Sequence, residues 1–126
     1  MKTVIKTDQA PLPVARYSQG IRVGNTLYVQ GMIALEPGKK TVVPGGIREQ
    51  AERVFKSIHA VLAADGLGFG HVVRVAAFLA RLDDYPAFNE VYNRHFSSEP
   101  PPVRTTVQAG LPLGALVEVE VIAVAE

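Results

Sequence analysis

Residues 103–125, "VRTTVQAGLPLGALVEVEVIAVA", hold two runs that alternate at period two, the signature of a β-strand with one face turned to a core. In the second run Val117, Val119 and Val121 fall on one side, and Glu118 and Glu120 fall on the other. In the first, Val103, Thr105 and Val107 share one side while Arg104, Thr106 and Gln108 share the other. The first run reads as a short strand heading for a core, and an arginine inside it needs a reason. The connection "GLPLG" is short enough for a hairpin that sets Arg104 against Glu120. An intervening strand or a second copy of the chain fits equally, because parity decides sides and not neighbours.

Working back from this tail, Asp83 or Asp84 suits the N-cap of a helix with Pro86 in its first turn. Tyr85, Phe88, Val91 or Tyr92, and Phe96 then form its buried stripe. "HVVRVAAFLA" is β-branched and nearly continuous in apolar content, as expected of a central strand covered on both faces. Ile47, Ala51, Val54, Phe55, Ile58, Val61 and Leu62 recur at helical spacing until Asp65-Gly66 stops the helix. Earlier still, "YSQGIRVGNTLYVQGMIAL" reads as two strands joined at Gly24-Asn25, and "TVIKT" as one more. The order β-β-β-α-β-α-β-β predicts an α+β domain over residues 1–126, with two helices on one face of a mixed six-stranded sheet. Leu116, Ile122 and Val124 make the other face too apolar for water, and self-association is the simplest cover.

Composition narrows the function classes. The 126 residues contain no cysteine, which removes disulfides, thiolate metal sites and cysteine nucleophiles together and fits a reducing compartment. No apolar stretch approaches the roughly 20 residues that cross a bilayer, and "MKTVIKTDQAPLP" lacks the apolar core of a signal peptide, so a cytoplasmic protein without a membrane partner is expected. Net charge is +1 with the positive side chains interleaved among acids, which argues against a nucleic-acid partner. His59, His71 and His95 lie far apart without ligand spacing, so no metal site is expected. The glycines of "ADGLGFG" follow a helix and enter a strand, the reverse of a dinucleotide fingerprint. Ser18, Ser57, Ser97 and Ser98 lack the context of a nucleophile elbow.

Four side chains remain as candidates for chemistry. Arg104 carries a permanent planar fork that matches a carboxylate, unless a structural acid of the chain already occupies it. Glu118 is a carboxylate in an apolar strand; desolvation raises its pKa towards that of a usable base, and a close arginine lowers it again. Glu120 reads as a solvent-facing or ion-paired residue. Tyr17, in "ARYSQG", offers a phenol that orients a water or hydrogen-bonds a substrate while its ring packs. Asn89 lies at the margin of the second helix's apolar stripe, where a plain surface asparagine is the ordinary reading.

Together, "YSQGIRVGNTLYVQGMI", "DDYPAFNEVYNRHF" and "PPVRTTVQAGLPLGALVEVEVIAV" resemble the Rid family, also called the YjgF or L-PSP endoribonuclease group, along nearly the whole chain. The resemblance implies a chorismate-mutase-like fold assembled as a homotrimer, with the sheets forming a central barrel and three clefts between subunits. It implies a 2-iminobutanoate/2-iminopropanoate deaminase that needs no cofactor and converts 2-enamino and 2-imino acids to 2-keto acids and ammonia. By the same carry-over Arg104 holds the substrate carboxylate, Glu118 handles the attacking water, and Tyr17 and Asn89 match a tyrosine and an asparagine of the family site. Backbone groups of Gly31 and Thr106 match further substrate contacts. Many members carry Ser-Gly-Gln where this chain has Gln30-Gly31-Met32, and often a cysteine at Thr106, so the pocket wall differs in size and polarity. The alternative is a family member acting as a translation inhibitor, an endoribonuclease or a chaperone-like binder.

Overall fold

The computed structural model describes residues 1–126. Its strands are β1 (Thr3–Ile5), β2 (Gly20–Val23), β3 (Thr26–Met32), β4 (Val72–Leu79), β5 (Val103–Gln108) and β6 (Val117–Val124), with helices α1 (Ile47–Ala64) and α2 (Tyr85–His95). The α+β order is the one read from the sequence. One sheet runs β1-β2-β3-β6-β4-β5, antiparallel except for the β4–β5 pair. Both helices are crossovers, since β3 and β4 each lie antiparallel to β6 and β4 lies parallel to β5. Crossovers of one hand that step in one direction deposit their helices on the same face. The last strand then slots between β3 and β4, so Arg104 on β5 and the glutamates on β6 are separated by β4 and form no hairpin.

The core fills the space between sheet and helices. Val75, Ala77, Leu79, Val117, Val119 and Val121 point inward against Val54, Phe55, Ile58 and Val61 of α1 and Phe88 and Val91 of α2. Burying each side chain of this size contributes about 1.5–3 kcal/mol before entropy is counted. α1 begins at Gly46, whose N–H donates to Glu49 Oε1 at 2.7 Å. It ends as the sequence predicts: Gly66 takes φ +74° and its N–H and that of Leu67 return to the Ala63 and Leu62 carbonyls.

Four local expectations need correction. On β5 the apolar side faces outward, leaving Val103 64% and Val107 42% exposed, while Arg104 and Thr106 turn towards α2. The strand lies at the sheet edge, where the core has run out and an amphipathic layer of α2 is its only cover. β4 is covered on one face alone; Arg74, Ala76 and Phe78 lie on the open side at partial or full exposure. Asp84 stands at the N-cap of α2 without a side-chain capping bond, because its Oδ1 instead accepts from Arg81 at 3.3 Å. Tyr85 leaves the buried stripe and stands at the surface.

Candidate functional site

The residues singled out from the sequence gather in two places, a rim on the helix side of the sheet edge and a hollow on the open face. At the rim, Asn89 and Tyr85 sit one helical turn apart on α2 and face β5. Arg104 Nη1 donates to Asn89 Oδ1 at 2.9 Å and Nη2 donates to the Tyr85 hydroxyl at 2.8 Å. The guanidinium carbon lies 4.5 Å from the Tyr92 ring centre, 5.5 Å from that of Tyr85 and 5.9 Å from that of Phe88. These rings attract a cation without neutralising it. No carboxylate of the chain pairs with Arg104; the ion pairs of Arg22, Arg48, Arg81 and Arg94 are made elsewhere. A shallow hollow of about 480 Å³, lined by Leu82, Tyr85, Arg104 and Thr106, opens beside it. Thr106 Oγ1 is buried there without a hydrogen-bond partner.

The open-face hollow is larger, about 970 Å³, and contains Tyr17, Gly31, Met32, Glu118 and Glu120 among mostly apolar neighbours. Its floor depends on a bulge in β3: Val29 pairs with Val121 and Met32 with Val119, so β3 carries one extra residue between these pairs. The bulge brings the Gly31 backbone against Glu118. A Cβ on Gly31 would overlap Glu118 Oε2 and approach Cδ to 3.1 Å, so the absence of a side chain makes room for the carboxylate. Burial, and then the negative charge of Glu120, raises the pKa of Glu118 above the ordinary glutamate value. Tyr17 is half exposed on the wall, its hydroxyl accepting a long 3.5 Å contact from the Val14 N–H.

One buried residue, absent from the sequence-based candidates, ties this wall together. Gln19 is 1% exposed; its Nε2 donates to the carbonyls of Thr7, Ala10 and Pro11, and its Oε1 accepts from the Thr7 N–H at 2.7 Å. Its own carbonyl accepts the Gln30 N–H at 2.9 Å, next to the bulge. The segment that carries Tyr17 and the strand that carries Gly31 are thus pinned at one point. Tyr85 was also missed as a site residue, although its place four residues before Asn89 puts both on one helix face.

Rim and hollow do not meet within one chain. Arg104 is in register with Val75, which is fully buried under the helices, whereas Glu118 is in register with Phe78 on the open face. The sheet itself stands between guanidinium and carboxylate. The histidines stay apart as well: His95 Nε2 contacts Glu52 Oε1 at 2.6 Å, His71 Nδ1 accepts from the Gly68 N–H at 3.1 Å, and His59 packs on Phe69.

Fold and site define a class of small α+β proteins in which a two-helix layer covers one sheet face and the candidate residues are divided between the two faces. The family model described as "Endoribonuclease L-PSP" matches residues 7–125, and the chain belongs to that family, the Rid group of the sequence resemblance. It is 45% identical to "Protein DfrA" of Myxococcus xanthus, over 98% of this chain and 95% of that one. It is 36% identical to the 2-iminobutanoate/2-iminopropanoate deaminase of Mus musculus, over 98% of this chain and 92% of that one. Among solved structures, RidA from the Antarctic bacterium Psychrobacter sp. superposes with a TM-score of 0.92 at 39% identity, covering 98% of this chain and 99% of that one. No helix is long and apolar enough to cross a membrane.

Proposed function

We propose that this protein is an imine deaminase, which hydrolyses small 2-imino acids and their 2-enamino tautomers to 2-keto acids and ammonia. The substrates in the mouse relative's name, 2-iminobutanoate and 2-iminopropanoate, are the ones this reading adopts. Arg104 carries the reading: its cation is fixed by an asparagine, a phenol and three rings, opens on a hollow and is bonded to no acid of its own chain. A carboxylate seated on that fork gains charge-assisted hydrogen bonds and holds C2 in a defined place. Glu118 takes a proton as water attacks C2, and the C=N bond becomes a C–N single bond. Glu118 returns that proton to nitrogen to complete the carbinolamine. Its collapse forms the C=O bond of the keto acid as the hydroxyl proton also passes to nitrogen and the C–N bond breaks, releasing ammonia. The raised pKa of Glu118 suits this exchange, because a base titrating nearer neutrality accepts and returns a proton more readily. Tyr17 orients the water from the wall, and the backbone of Gly31 and Thr106 lines the path of the substrate.

Because guanidinium and carboxylate lie on opposite sheet faces, the reaction needs the rim of one copy set against the hollow of another. Such a contact joins two different surfaces, and repeated about an axis it closes into a ring. A homotrimer, the assembly the resemblance implies, is the ring we adopt, and its formation would cover the outward Tyr28, Val103 and Val107. The test is subunit complementation, with Arg104→Ala and Glu118→Gln chains inactive alone and then assembled together in equal amounts. Random mixing gives an intact rim facing an intact hollow in about a quarter of the clefts, so about a quarter of wild-type deamination is expected. No recovery in assemblies proven to be mixed would refute the divided site.

A further inference from the structure

The Tyr85 hydroxyl has a proton with no acceptor in the chain. A guanidinium only donates, so in the 2.8 Å contact with Arg104 Nη2 the phenol oxygen is the acceptor and its own O–H must point elsewhere. The ring is 38% exposed and lines the same hollow as Arg104, and Thr106 Oγ1 is buried on that hollow without a partner. Arg104 meanwhile uses one N–H of each terminal nitrogen on Asn89 and Tyr85, and its Nε–H is unused. Three residues with unspent donors, Tyr85, Arg104 and Thr106, therefore line one small space beside a fixed positive charge. Polarisation by the guanidinium also makes the phenol a stronger donor than an isolated tyrosine.

We propose that Tyr85 is a substrate-binding residue, donating its phenol proton to the carboxylate that Arg104 holds. The anion is then gripped by the fork and by a third, directional donor that fixes its rotation about the guanidinium plane. This rests on the deaminase reading for the identity of the ligand and adds to it a residue outside the set carried over by resemblance. Its role lies in binding and orientation, because the reacting C2 faces the Glu118 side of the cleft.

The probe is 2-oxobutanoate, titrated into the assembled wild-type, Tyr85→Phe and Arg104→Ala proteins by calorimetry or NMR, with imine turnover measured in parallel. Loss of one net hydrogen bond corresponds to a roughly threefold to tenfold weaker Kd for Tyr85→Phe, with KM rising by the same factor and kcat moving less than about twofold. A second variant separates donating from receiving: 3-fluorotyrosine at position 85 makes the hydroxyl a better donor and a poorer acceptor. It is expected to bind 2-oxobutanoate at least as tightly as wild type. Weaker binding by the fluorinated protein would mean that the hydroxyl serves only to receive the Arg104 N–H, and would overturn the proposal. Equal affinity of Tyr85→Phe and wild type, with binding lost in Arg104→Ala, would overturn this proposal alone. No binding by wild type would overturn it together with the deaminase reading.

Discussion

Arg104 and Glu118 belong to one sheet, yet their surroundings differ in kind. The arginine is enclosed by neutral partners, two hydrogen-bond acceptors and three rings, all of them on side chains of one face of α2 that also packs the core. Every one of the three rings belongs to α2. The glutamate has no hydrogen-bond donor of its own; it is held by burial, by the neighbouring charge of Glu120 and by a gap left in a bulged strand. One half of the site thus offers a charge that no ordinary pH alters, built on rigid structure. The other offers a charge that is easily given up, built on a loop and a bulge. Under the proposed deaminase reading, binding belongs to the first and proton transfer to the second, so substitutions on the two sides should split accordingly into changes of affinity and changes of rate.

Glu118→Gln should produce the largest split. It removes the base while keeping the shape, so a loss of about 10²–10⁴ in kcat is expected with little change in the affinity for 2-oxobutanoate. In the wild type the rate should rise with pH through an apparent pKa above the ordinary glutamate value of about 4.3, and in the variant that limb should vanish. Stability provides an independent reading of the same group. A carboxyl whose folded pKa is raised binds its proton more tightly in the native state, so it stabilises the fold at pH values below the unfolded pKa. That contribution disappears as pH rises through the folded pKa. Urea midpoints of wild type should therefore fall relative to Glu118→Gln between about pH 4 and neutrality. Parallel midpoints across that range would mean that Glu118 is not held in an environment hostile to its charge.

Gly31→Ala should come next. Its new methyl group occupies the place of the Glu118 carboxylate oxygen, a flexible end that can swing away, so the fold should tolerate the change while the base is displaced. A misplacement of about 1 Å is enough to lower kcat by about ten- to a hundredfold. Affinity for the keto acid should change far less. A crystal structure of the variant with the carboxylate undisturbed, or wild-type kcat, would show that the gap is not what sets the base.

How far the sequence reveals these halves follows from the kind of information each uses. Period-two parity placed Glu118 opposite the core-facing valines, and helical spacing placed Phe88, Val91 or Tyr92, and Phe96 in the buried stripe, because both rules depend on residues close in the chain. The structure buries both Val91 and Tyr92. The same parity misled on β5. Val103 and Val107 resemble a core face, but that inference assumes a core on the apolar side, and at the sheet edge, where α2 covers only the polar side, it is reversed. The insertion of β6 between β3 and β4 has no local signature, and the separation of Arg104 from Glu118 follows from it alone. Tyr85 resembled core for a related reason: an aromatic at helical spacing is ambiguous between packing and display until the partner strand is known. The bulge at Gln30-Gly31 and the anchoring by Gln19 depend on contacts between distant segments and could not be read from spacing.

The smallest effect belongs to Asn89, and it bears on whether the rim is truly a preorganised unit. Asn89→Ala removes the acceptor for Arg104 Nη1 and leaves Tyr85 and the three rings in place. If the cation were held by that amide alone, the loss would approach that of Arg104→Ala. Where several neutral groups share the task, the guanidinium keeps most of its placement and only one net hydrogen bond is forfeited, about 0.5–1.5 kcal/mol, or up to about tenfold in KM. kcat should hold, since Glu118, the proposed base, is on the opposite face of the sheet. Combining Asn89→Ala with Tyr85→Phe sharpens the point, because both act on one guanidinium. Their joint penalty should exceed the sum of the single ones, as expected when two partners back each other up in holding a third. Simple additivity would mean that each touches the ligand or the arginine independently, and the rim would then be two separate contacts and not one device.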